Sequence, residues 1–310
     1  MKLNLKISLL LLVLGGAVLI SYVLRLDALV LFLLPHSVDR PSDVAGFQLS
    51  GYRVSIDAKP LPGLTDASGL TYHAPTNTLF AVLNQEPLII QLSLSGDILR
   101  KIRVDGAADM EDITHVRDQI FVLVDESKNR MFMVDLSQAD SRGGLAAVRK
   151  ISLGFDKNVN RNFEGVSWDA VNGRLLVAKE KEPKRLLEIR GFADIDSCNS
   201  IEIRDIGESY PRLVALRDLA AVSFHEPSSH LLVLSEESKL ILEFDGKGRH
   251  VSSLLMWRGF HGIQHTVPQP EGLAVGPDDT LYVISEPNLF YVFKPSNPTD
   301  KNRLETQPAF

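Results

Sequence analysis

Five stretches of the chain share one ordering of polar and apolar positions. Each opens on an acidic or small residue followed by a small residue and an aliphatic one: Ser68-Gly69-Leu70, Glu111-Asp112-Ile113, Glu164-Gly165-Val166, Ala220-Ala221-Val222 and Glu271-Gly272-Leu273. Turn residues follow, among them His73-Ala74-Pro75-Thr76-Asn77 and Asp169-Ala170-Val171-Asn172-Gly173, and then an unbroken apolar run such as Leu79 to Leu83, Ile120 to Val124 or Leu281 to Ile284. Runs that do not alternate belong to strands covered on both faces. The openings recur at intervals of roughly 43 to 56 residues, a period of repeated β-modules.

The pattern predicts an all-β fold, a five-bladed β-propeller with four-stranded blades over residues 51–295. The fifth copy supplies only three strands, whereas Tyr52 to Ile56 reads as a strand with no hairpin partner. Lending that strand to the last blade completes it and closes the ring, which removes an exposed edge.

Ahead of this domain, Ile7 to Leu24 is an uncharged and almost wholly apolar run of a length that suits a membrane-spanning helix, with Lys2 and Lys6 before it. The lysines place the N-terminus in the cytoplasm and the rest of the chain outside; no A-x-A-like cleavage site follows, although a cleaved signal peptide competes with this reading. A second apolar run, Ala28 to Leu34, is too short to span and either extends the helix or lies at the interface. The expected organisation is a signal anchor over 1–35, a linker over 36–50, the propeller over 51–295 and a flexible tail over 296–310. The expected location is a bacterial inner membrane, crossed once, with the propeller in the periplasm.

With 33 basic and 39 acidic residues the formal net charge is −6, and no basic stripe recommends nucleic acid as a partner. The single cysteine, Cys198, excludes an intramolecular disulfide. No G-x-S-x-G, H-E-x-x-H, phosphate-binding loop or G-x-G-x-x-G occurs.

The acids of the repeat are the candidate chemistry. Asn84, Asp125, Glu180, Glu236 and Glu286 end the second strands at one register. Antiparallel pairing then sets Glu111 opposite Asp125, Glu164 opposite Glu180 and Glu271 beside Glu286. Like charges so placed repel. They are either hydrated at the channel mouth or gathered around a hard cation, which takes carboxylate and carbonyl oxygens. Because the first and fourth copies carry Ser68 and Ala220, an ion is expected off-centre, toward blades two, three and five. The loops leading into the openings, residues 156–163 and 259–270, put Arg161, His261 and His265 forward as candidate ligand-binding residues.

Gln269-Pro270-Glu271-Gly272-Leu273 with Ile284-Ser285-Glu286-Pro287-Asn288, together with Phe163-Glu164-Gly165-Val166 and Lys179-Glu180-Lys181, resembles the SdiA-regulated family of bacterial envelope proteins. The resemblance covers nearly all of residues 51–295 and includes the N-terminal apolar segment. It implies a five-bladed propeller distantly similar to NHL-repeat propellers and a Ca²⁺ site, but no particular reaction. On the matching positions it makes Glu111, Asp125, Glu164, Glu180, Glu271 and Glu286 candidate metal ligands.

The leading expectation is a membrane-anchored, Ca²⁺-binding module with an envelope protein or small ligand as partner. An alternative is a calcium-dependent hydrolase of esters or phosphoesters, of NHL-like or phytase-like type, with His261 or His265 as base. Basic residues such as Arg161, Lys179 and Lys181 at the acidic mouth would favour a phosphate substrate; exposed aromatics would favour a protein partner.

Overall fold

The computed structural model describes residues 2–33, 46–139, 144–153, 163–181, 183–194 and 200–296. Five antiparallel sheets are arranged as the blades of a propeller. Blade one comprises Ala67–His73, Thr78–Leu83, Leu88–Leu92 and Ile98–Val104. Blade two comprises Met110–Arg117, Ile120–Asp125, Arg130–Asp135 and Ala147–Ser152, and blade three Phe163–Asp169, Arg174–Lys179, Arg185–Arg190 and Glu202–Asp205. Blade four comprises Ala221–His225, His230–Ser235, Leu240–Phe244 and His250–Leu255. Blade five takes Gln269–Val275, Leu281–Glu286 and Leu289–Pro295 from the end of the chain and Tyr52–Pro60 from its beginning, in the order that closes the ring. Blade one also gains a two-residue parallel strand, Gly144–Leu145, from the loop of blade two.

The continuous apolar runs have a direct explanation. On the second strand of blade one, Leu79, Ala81 and Leu83 face the core shared with blade five, whereas Phe80 and Val82 face the core shared with blade two. Side chains of a strand alternate between faces, and both faces here are blade interfaces. Five such cores separate the five blades. The glycine in the openings of blades three and five answers a related demand. A Cβ on Gly165 would lie 2.9 Å from the Val222 nitrogen, and one on Gly272 would lie 2.7 Å from the carbonyl carbon of Gly69. The innermost strands therefore approach too closely for a side chain there.

Three hydroxyls tie these strands together around the axis. Thr71 Oγ1 accepts the His115 amide at 3.2 Å, Thr114 Oγ1 that of Trp168 at 3.0 Å, and Ser167 Oγ that of Phe224 at 2.8 Å. One level nearer the blade openings, buried Asp112 accepts amides from three blades: Leu70 at 3.1 Å, Ile113 at 2.8 Å and Val166 at 2.8 Å.

At the N-terminus, α1 (Lys2–Val23) and α2 (Leu26–Leu33) are separated by a turn in which Arg25 adopts φ 52°. Among the described residues no single helix is long and apolar enough to cross a membrane; Ile7–Val23 and Leu26–Leu33 meet that test only as a pair, bent by 70°. The second apolar run therefore does not continue the first helix. It packs Ala28 and Leu31 onto the propeller, with Leu31 joining the core between blades three and four. Arg217 fastens the bend: Nε and Nη2 donate to Asp27 at 2.7 and 2.8 Å, Nη2 donates to the Tyr22 carbonyl, and the guanidinium lies 4.1 Å from the Tyr22 ring centroid.

The last part of the expected linker belongs to the packed structure. Phe47 and Leu49 are buried, and their amides donate to Glu243 Oε1 and Ser252 Oγ. Residues 34–45 and nearly all of the expected tail, from 297 onward, lie outside the described residues.

Candidate functional site

The acids that open blades two, three and five reach the channel mouth through β-bulges. Glu111 is the extra residue between the pairs Met110–Asp125 and Asp112–Val124, Glu164 between Phe163–Lys179 and Gly165–Ala178, and Glu271 between Pro270–Ser285 and Gly272–Ile284. A bulge re-aims a side chain and adds twist; here it turns each carboxylate toward the axis. The opening of blade four has neither acid nor bulge, its register running unbroken from Ala221–Leu234 to His225–His230.

The same bulges overturn the expected pairing. Asp125 stands opposite Met110, Lys179 opposite Phe163 and Glu286 opposite Gln269, because one unpaired residue displaces the register by one position. Asp125 is consequently turned away from the mouth. It is fully buried and accepts from the Ala108 amide at 2.9 Å, Ser127 Oγ at 2.7 Å and Arg130 Nη2 at 3.1 Å. The next residue, Glu126, takes its place.

The mouth is a cavity of about 200 Å³ lined by Glu111, Glu126, Glu164, Glu180, Glu271 and Glu286, with Asp218 and Glu236 from the fourth blade and Asn84 and Ala220 completing the wall. Five of the six expected metal ligands are brought together. Blade four departs from expectation: Asp218 stands two residues before the acid-free Ala220, and Glu236 comes from the strand-end register.

Blade one, which supplies no acid, supplies donors. Asn84 Nδ2 donates to Glu111 Oε1 at 2.8 Å, and Ser68 Oγ donates to the Glu111 carbonyl at 2.7 Å. On the rim, Lys181 pairs with Glu180 and, at 2.9 Å, with Glu237, and Lys239 pairs with Glu236. Ser235 Oγ donates to Asp218, as does the Glu237 amide at 3.1 Å. Glu164 and Glu271 accept no hydrogen bond among the described residues.

Burial, followed by the charges of Asp109, Glu126 and Glu286, pushes the Glu111 carboxyl up to about 9, with the Asn84 amide opposing. Burial and then the surrounding glutamates hold Glu164 and Glu271 well above the ordinary range, and burial raises Asp218 to about 6. Glu286 is raised by burial, then by Asp66 and Glu236. The mouth thus binds either protons or cations. Asp109, Glu111 and Glu126 each offer an oxygen such that the three lie within 4.8 Å of one another, twice a Ca²⁺–oxygen distance of about 2.4 Å. The donor set is all oxygen, without histidine or cysteine, and fits a hard cation.

Neither candidate histidine lines this cavity. His261 is buried beside α2, with Nδ1 3.0 Å from the Tyr52 carbonyl and its ring 6.2 Å from that of Phe32; burial lowers its pKa. His265 is exposed and Arg161 lies outside the described residues. Lys179 turns its ammonium to the Lys181 carbonyl, and among the described residues no lysine lines the cavity. Aromatic side chains gather at the opposite end of the channel, where Tyr72, Trp168, Phe224 and His225 line a wider hollow of about 540 Å³. Sequence reasoning did not anticipate that hollow, since its members stand at the turn-side ends of the five inner strands and share no single residue type.

Blade number, ring closure and an acid-lined mouth together define a five-bladed β-propeller with a candidate hard-cation site on its axis. The family model described as SdiA-regulated matches residues 45–294. The chain belongs to that family. Among solved structures it is similar to a glutaminyl cyclase from Myxococcus xanthus, at 14% identity and TM-score 0.54 over 79% of this chain and 97% of that one. It is likewise similar to the PQQ-bound form of an aldose sugar dehydrogenase from Streptomyces coelicolor, at 11% identity and TM-score 0.53 over 78% and 97%. At such identities the likeness is one of fold.

Proposed function

We propose that this chain is a membrane-anchored, Ca²⁺-binding propeller that serves the bacterial envelope as a binding module, with its propeller in the periplasm. The observation that carries the reading is the convergence of eight carboxylates on one small cavity, three of them, Glu111, Glu164 and Glu271, aimed there by bulges. Burying charge without a partner is costly, and two of the eight, Glu164 and Glu271, accept no hydrogen bond among the described residues. A divalent cation offsets what remains. Glu111 and Glu126, with Asp109 beside them, supply the tightest set of oxygens; Glu164, Glu271 and Glu286 stand across the same cavity. Ca²⁺ suits a wall rich in carboxylates because it accepts six to eight oxygens in flexible geometry.

The binding reading is favoured over calcium-dependent hydrolysis on one observation: His261 and His265, the candidate bases, stand away from the cavity. The membrane part rests on the apolar helix Lys2–Val23 and the lysines at its start.

Thermal unfolding of the full chain in detergent, in EDTA and in added Ca²⁺, tests the cation site. Occupancy at a hundred times the dissociation constant stabilises by about 2.7 kcal/mol, which raises the wild-type melting temperature. Glu111→Gln and Glu164→Gln reduce or abolish that rise. An unchanged melting temperature in wild type would reject the site.

A further inference from the structure

The bend between the two N-terminal helices lies on the rim of the acidic mouth. Tyr22, Val23 and Arg25 from the bend share a surface hollow with Arg217, Glu236 and Glu237, and Glu236 also lines the cavity. The contacts of Arg217 with Asp27 and Tyr22 fix the bend to blade four.

Beside it is the most exposed apolar surface of the propeller. Val214, in the turn Pro211–Ala215, is 82% exposed, and α2 leaves Val30 and Leu33 at 56% and 68% while burying Ala28 and Leu31. Leu213 of the turn and Leu31 of the helix pack into one core. Charges of both signs border the turn: Lys184 donates its ammonium to the Val214 carbonyl at 3.1 Å and to that of Leu216, and Asp205 and Glu208 line one hollow with it. A helix with one apolar face packed and a second left bare matches the chemistry of an interfacial segment.

We infer that the face formed by the outer side of α2 and the turn Pro211–Ala215 lies on a bilayer surface, so that the acidic mouth opens into the headgroup layer. The inference rests on the anchoring part of the proposed function. Continuity with α1 selects the occupant: if α1 crosses the bilayer, the boundary falls near Val23, in contact with the rim. A cation held by the mouth then faces lipid phosphates, and the aromatic hollow faces away from the membrane.

The test uses the full chain in phosphatidylcholine–phosphatidylglycerol vesicles carrying a spin-labelled headgroup. In a Cys198→Ser background, single cysteines at Leu12, Leu33, Val214 and Val171 receive an environment-sensitive fluorophore. Val171, 64% exposed, lies in the blade-three hairpin turn at the far end of the channel. Lipid quenching severalfold stronger at Val214→Cys and Leu33→Cys than at Val171→Cys is the expected result. Quenching at Leu12→Cys without quenching at Val214→Cys would overturn the orientation and leave the anchor standing; the same face would then be open to a protein partner. No quenching at Leu12→Cys would remove the anchor and the orientation together.

Discussion

Asn84 of the first blade donates its side-chain amide to Glu111 of the second across 2.8 Å. The contact explains why blade one lacks an acid: its strand-end residue is the donor that holds a neighbouring carboxylate in place. Asn84→Ala is expected to cost about 1–2 kcal/mol in urea unfolding without divalent cation, since a buried acceptor loses its partner. Added Ca²⁺ should recover part of that loss, because an ion contacting Glu111 supplies a substitute for the amide.

The mouth also sets the pH dependence. Carboxyls with raised pKa values keep protons in the folded chain that the unfolded chain has released. For Glu111 that window runs from the ordinary glutamate value near 4.5 up to about 9. The stability these protons contribute is fully present below the unfolded pKa and is lost as pH rises through the window, by roughly 1.4 kcal/mol per pH unit for each retained proton. Melting temperature in EDTA should therefore fall from pH 5 toward pH 9. In saturating Ca²⁺ the slope should flatten, since the ion takes the ionised form. A pH-independent apo protein would show that the carboxyls are ordinary and hydrated.

The legible and illegible parts of this site separate on physical grounds. Blade number and closure could be read because every second strand is apolar on both faces and the openings of blades three and five need a glycine, demands that leave marks at Leu79 to Leu83 and at Gly165 and Gly272. Asp125 and Glu126 could not be told apart. Both are acids at the end of one strand, and a single bulge at Glu111 decides which one faces the axis. Asp218 was hidden for another reason: its blade has no bulge at the opening, so its acid arrives from the approach loop, two residues ahead of the motif. His261 was misplaced because a loop that leads into the mouth can still fold its middle residues under α2.

Asp112 offers a contrast with its neighbour Glu111. It faces three backbone amides and not the cavity. Asp112→Ala leaves three buried donors without an acceptor, at about 1–3 kcal/mol for each, so a total loss of at least about 3 kcal/mol is expected in denaturant unfolding. Its cation-induced stabilisation should remain, whereas Glu111→Gln should lower that stabilisation. Equal effects of both variants on the cation shift would mean that the two carboxylates act as one unit.

Arg217 is the clasp of the helical bend. Its ion pair with Asp27 is partly exposed, with the aspartate 44% accessible, so Arg217→Ala should weaken docking by only about 1 kcal/mol. Hydrogen exchange locates that loss better than global unfolding does. Amides of Leu26–Leu33 should exchange faster, while those of the blade-four strands keep their protection. Uniform acceleration across blade four would show that α2 is an integral part of its core.

The small residue of the opening makes the most local prediction. At Gly165 the obstacle is steric: a Cβ would meet the Val222 nitrogen at 2.9 Å and the Ala221 Cα at 3.0 Å, all backbone of the next blade. Backbone cannot swing aside like the end of a side chain, so Gly165→Ala should cost about 1–3 kcal/mol, the range for overpacking. Gly51 provides the control, with nothing within 4 Å of its added Cβ; Gly51→Ala should stay within about 0.5 kcal/mol. Unfolding of the two variants in EDTA separates the explanations. If Gly165→Ala is as mild as Gly51→Ala, blades three and four have slack between them, and the mouth they share with the other blades is an adjustable site. If it is costly, the glycine is required by the packing that aims the adjacent Glu164 at the axis.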